Sequence, residues 1–157
     1  MPFTFEPMDP ETAAHFRAGG PDAYGNAPER AVSEGTGVPC RRCMGFVAAN
    51  DPYLIVAWRP FSRLHPYAET GPVFLHAEHC APPQLEPGQL PPFLNSPDYI
   101  VRGYSADERI VYGTGEVTGL EAISTSVDAL LTDPAVDAVH IRSARNNCYH
   151  CRAVRTP

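Results

Sequence analysis

A chain of 157 residues suffices for one domain with a single core, and 43% hydrophobic with 19% charged residues is a globular composition. The net charge of −6 argues against a general grip on nucleic acid, and basic residues that are all arginine exclude Schiff-base catalysis and a phosphate-loop lysine. No apolar run approaches the roughly 20 residues of a membrane-crossing helix. The acidic opening segment also lacks the basic region of a secretory signal, so the expected compartment is the cytoplasm.

Asp9, Pro10 and Glu11 read as a helix start, and Gly19-Gly20-Pro21 as its stop, which predicts a helix over 10–18. Residues 19–38 are rich in glycine and polar groups and read as a loop. Strands are expected over 44–49 and 53–58, joined by the turn Asn50-Asp51-Pro52, and again over 72–76. Six prolines between 82 and 97 forbid regular structure and predict an ordered surface loop.

Further along, 99–104 and 109–114 read as a hairpin about the loop Ser105-Ala106-Asp107-Glu108. Thr118 and Glu121 have capping-box spacing ahead of a helix over 119–131, whose apolar stripe is Leu120, Ile123, Val127, Leu130 and Leu131. Asp133-Pro134 ends it, and strands follow over 137–143 and 149–154. The sum is an α+β fold with a mainly antiparallel sheet and two helices. One domain over 1–157 is expected: 1–37 supply the first helix and a Gly/Pro-rich loop, and 38–155 supply the core.

The chemistry concentrates in five cysteines: Cys40, Cys43, Cys80, Cys148 and Cys151. In a reducing compartment such a set points to metal or redox roles rather than a disulfide framework. Cys40-Arg41-Arg42-Cys43, followed by Gly45, has the form of a zinc knuckle, in which two thiolates turn toward one ion. His76 with Cys80 is the favoured second half, with His79 as a substitute for His76; Cys148 and Cys151 form the alternative. That last pair is disfavoured if it lies in a strand, where residues three apart face opposite sides. A redox pair is weakened by the strand-like residues after Cys43, because such thiols normally open a helix. Unligated, buried thiols are the plain alternative.

Two carboxylates lie near this set. A metal-dependent hydrolase would use Glu69 or Glu78 as general base, and His76-Ala77-Glu78 with Pro39-Cys40-Arg41-Arg42-Cys43 carries, in reversed order, the elements of a zinc deaminase. A separate feature is a polar sheet face. Alternation puts Arg102 and Tyr104 on one side of their strand and His140 and Arg142 on one side of theirs, with Asn147 in the turn beyond. Such a face could take a small anionic ligand such as a phosphate or carboxylate, and the alternative is a solvated outer surface.

The segments VPCRRCMGF, AWRPF, PYAETGPVFLHAEHC, IVRGY, RIVYGTG and HIRSARNNCYHCR resemble the bacterial family catalogued as domain of unknown function 1203, over roughly 38–155. The resemblance implies a discrete bacterial domain and assigns no catalytic residue. The reading is a ligand-binding or adaptor module with a structural zinc site at Cys40, Cys43, His76 and Cys80. Its rivals are a zinc-dependent enzyme and an anion- or nucleotide-binding module.

Overall fold

At Asp9 the chain enters its first helix because the aspartate satisfies donors that the helix leaves open. Its Oδ2 accepts from the Thr12 amide at 2.9 Å, and Pro10 presets the first helical residue. Helix α1 (Pro10–Arg17) ends on Gly19 at φ +87°, with Gly19 N–H donating to Phe16 O and Gly20 N–H to His15 O. This paired bonding satisfies the last carbonyls and needs a left-handed residue where the glycine stands.

The computed structural model describes residues 2–157. Its strands are β1 (Phe3–Glu6), β2 (Glu29–Val32), β3 (Pro52–Trp58), β4 (Gly71–His76), β5 (Asp98–Tyr104), β6 (Glu116–Gly119), β7 (Ala138–Ser143) and β8 (Tyr149–Arg155); helix α2 is Ile123–Thr132. All strand pairs are antiparallel, in a five-stranded sheet β1-β8-β7-β5-β6 and a three-stranded sheet β2-β3-β4. The fold is α+β with two helices, as expected.

The chain divides into two compact units. One holds the five-stranded sheet and α2, drawn from the chain up to Glu6, from His65–Tyr67 and from Gln84–Pro157. Ile123, Val127 and Leu131, spaced i, i+4 and i+8, are the buried stripe of α2. Tyr99, Val101, Val139 and Ile141 are buried in the same unit. The other unit, Pro7–Leu64 with Ala68–Pro83, holds α1 and the three-stranded sheet around Met8, Ala13, Phe16, Val47, Leu54, Val56, Val73 and Leu75.

Four local expectations are corrected. The strand predicted over 44–49 is the return arm of a knuckle: Cys40 N–H donates to Gly45 O and Val47 N–H to Val38 O, with Met44 at φ +59° turning the chain between them. The loop over 19–38 contains β2, whose mostly exposed residues offer no alternation to read. The turn Ser105–Glu108 forms and the chain returns through one antiparallel bridge, Tyr104 to Ile110, but 109–114 does not continue as a strand. Thr114 Oγ1 accepts Gly103 N–H and donates to Val111 O, and β5 pairs instead with β6. The capping box does not form. Thr118 Oγ1 donates to Glu116 Oε1, a 3-10 turn over Leu120–Ala122 leads into α2, and no side chain caps it.

Candidate metal centre

The knuckle is positioned by the free edge of the three-stranded sheet. Arg41 N–H donates to Phe74 O at 3.0 Å and Cys40 bridges in parallel to Phe74, so the Cys40 turn runs along β4. On β4, Val73 and Leu75 are buried in the core, while Phe74 and His76 alternate onto the other face. His76 therefore arrives at the end of β4 beside the knuckle. Beyond it the chain reverses, with Ala77 N–H donating to Pro52 O, and delivers Cys80.

One donor atom from each of Cys40, Cys43, His76 and Cys80 lies within 4.8 Å of the other three, the one such group among the described residues. Cys40 Sγ and Cys80 Sγ are 3.8 Å apart, and Cys43 Sγ is 3.6 Å from His76 Nδ1. The edges of a tetrahedron with metal–sulfur bonds of about 2.3 Å and a metal–nitrogen bond of about 2.05 Å are roughly 3.8 Å for S–S and 3.6 Å for S–N. Two opposite edges of the donor group thus match those of a tetrahedral ion, and the Cys3His cluster could hold a metal ion.

Electrostatics distinguish the three thiols. Cys40 is fully buried, and its pKa is pushed down chiefly by hydrogen bonds from the Cys43 and Cys80 thiols, with the His76 N–H also pointing at its sulfur from 3.3 Å. The same sharing raises Cys43 and Cys80. Such a cluster already favours thiolate at its centre, the form that ligates metal.

Sequence reasoning missed Arg17. From the last turn of α1 it donates through Nε to His76 O at 3.0 Å and through Nη2 to Cys80 Sγ at 3.1 Å. No spacing rule could reveal it, since 63 positions separate it from Cys80. Of the other candidates, His79 and Glu78 are exposed and lie outside the donor group, and Glu69 is half-buried. Cys148 and Cys151 belong to the other unit and also stay outside the donor group; Cys148 Sγ is 3.8 Å from Asn146 O and Cys151 is buried opposite Ile141.

The polar sheet face assembles as alternation required, because Arg102, His140 and Arg152 stand opposite one another on β5, β7 and β8. It is not a solvated surface: His140 is 2% exposed and Arg142 4%. Tyr104 stacks on the His140 ring at 4.1 Å, and Tyr149 meets it edge-on at 5.2 Å. Arg102 donates to Tyr104 Oη and Arg142 Nη1 to Asn147 O, while Arg152 pairs with Glu6 at 2.6 Å. Asn147 is an exposed residue at φ +56° that offers its main-chain carbonyl here. Burial, and then Arg142, Arg152 and Arg102, hold His140 well below the usual histidine range.

The family described as Protein of unknown function (DUF1203) has a model that matches residues 37–155. No curated protein and no solved structure matches the chain.

Proposed function

Because the chain belongs to the DUF1203 family, whose description carries no activity, we propose from its own geometry that Cys40, Cys43, His76 and Cys80 hold a structural zinc ion. The observation that carries this reading is the pair of donor separations, 3.8 Å and 3.6 Å, equal to the S–S and S–N edges of a zinc tetrahedron. Four protein donors leave no position for water, which favours a structural site over a hydrolase, and the exposure of Glu78 points the same way. Three thiolates, a neutral imidazole and a divalent ion carry one negative charge; the Arg17 guanidinium on Cys80 Sγ offsets it.

In this reading the ion ties the knuckle to the end of β4 and Arg17 bonds the last turn of α1 to the same site, fixing a small unit that serves as a ligand-binding or adaptor module. No disulfide joins the cysteines among the described residues, in keeping with the proposal of a reducing compartment such as the bacterial cytoplasm. No helix among the described residues is long and apolar enough to cross a membrane.

Metal analysis of protein purified without chelator tests the assignment. Wild type and Cys151→Ser should carry one zinc per chain, while Cys43→Ser and Cys80→Ser should lose it. Cobalt(II) in its place should show the intense visible bands of a tetrahedral thiolate site. Wild-type protein that neither contains zinc nor takes it up overturns the proposal, as does loss of metal from Cys151→Ser with retention in Cys80→Ser.

A further inference from the structure

Beside the cluster, and separate from its donors, α1, the knuckle and the segment after β4 line a solvent-open pocket of about 390 Å³, formed by Pro10, Ala14, Arg17, Ala18, Arg42 and His79. That volume lies in the range of small-molecule sites, about 300–1,000 Å³. Its lining is divided in character. Pro10, Ala14 and Ala18 stand four residues apart along one side of α1, and the two alanines leave room that longer side chains would fill. The polar part is cationic, and no carboxylate lines the cavity.

The two guanidiniums are held in place by neutral or sulfur acceptors and not by acids. Arg42 Nη1 donates to Met8 O at 2.8 Å, and Arg17 spends Nε on His76 O and Nη2 on Cys80 Sγ. Both are half-buried, and neither has a carboxylate partner among the described residues. Among the described residues, Arg42 Nε and Nη2 and Arg17 Nη1 therefore donate to no protein acceptor. Asp9, beside Pro10, is committed to capping Thr12, while Glu11 and Glu78 adjoin lining residues in the chain without lining the pocket. Two fixed forks beside an apolar wall suit an oxyanion attached to a short apolar body, because guanidinium donors match the paired oxygens of such a head group.

We propose that this cavity is a binding site for a small organic oxyanion, whose carboxylate or phosphate head is held by Arg42 and Arg17 and whose apolar part lies on Ala14 and Ala18. Arg42 supplies the larger share of the grip, since Arg17 is already engaged with the cluster. The site does not require the zinc assignment, because the Met8 carbonyl that anchors Arg42 is not a metal ligand.

The test is an NMR titration of isotopically labelled full-length protein with butyrate and with inorganic phosphate, against chloride at matched ionic strength. At least one of the two anions should shift the amides of Ala14 and Ala18 and the Nε–H signals of Arg17 and Arg42 saturably. The preferred anion identifies the head group. Arg42→Gln should weaken that response at least about tenfold while zinc content stays as in wild type. Ala14→Leu, on the exposed side of α1, should abolish it by filling the space without touching either cation. Shifts no larger than those of chloride overturn the proposal, and so does an unchanged affinity in both variants. Loss of zinc with retained anion binding would defeat the metal assignment and leave this one standing.

Discussion

His140 is the most informative single residue for stability. It is 2% exposed, stacked on Tyr104, edged by Tyr149, and surrounded by the charges of Arg102 on β5, Arg142 on its own strand and Arg152 on β8, the last paired with Glu6. The folded-state pKa is depressed below the ordinary 6.5, so between that folded value and 6.5 the unfolded chain binds more protons. Stability is accordingly complete above 6.5 and falls as pH drops through and below it, with a limiting slope of about 1.4 kcal/mol per pH unit. Going from about pH 7.5 to about pH 5.5 should remove on the order of 1 kcal/mol of unfolding free energy through this residue alone. The assay is urea unfolding followed by circular dichroism for wild type and His140→Phe, which keeps an aromatic ring against Tyr104 but cannot titrate. Metal release at low pH affects both proteins and cancels in their difference. Parallel profiles would refute the reasoning, as would an NMR titration placing the His140 pKa at or above 6.5.

Two further substitutions examine the framework of the other unit. Asp9→Ala removes the side-chain acceptor of the Thr12 amide and should cost about 1 kcal/mol, read as a lowered thermal midpoint without loss of zinc. Leu75→Ala empties a position with no exposure in the core beneath β4 and should cost about 2–5 kcal/mol in denaturant unfolding.

What could be read in the amino-acid sequence was whatever depends on neighbours along the chain. Asp9-Pro10 and Gly19-Gly20 delimit α1 because capping and left-handed geometry are local requirements. The buried strands β3, β4, β5, β7 and β8 were legible from their apolar content. The donor set Cys40, Cys43, His76 and Cys80 was legible as types and spacing, since the CxxC turn and the strand end need no distant partner to be noticed.

The failures lie where a distant group decides. Residues 44–49 have strand composition, yet Met44 folds back on Cys40 and the arm pairs inside the knuckle. Thr114 captures the Gly103 amide that a hairpin partner would have bonded, so the return strand lies further along, at β6. Arg17 reads as an ordinary cation in a helix's last turn; only the fold lays it on Cys80. The burial of His140 and Arg142 is equally a tertiary fact, because alternation assigns a side chain to a face and says nothing of what covers it.

The pairing of β1 with β8 has a consequence for how the molecule is made. Phe3 stands opposite Arg155 and Glu6 opposite Arg152, so β1 is stitched to a strand far along the chain. Until β8 has been synthesised, residues 3–6 have no strand of this ladder to join. Seating that strand closes the long loop between Glu6 and Arg152, an entropic expense that favours a late step in assembly.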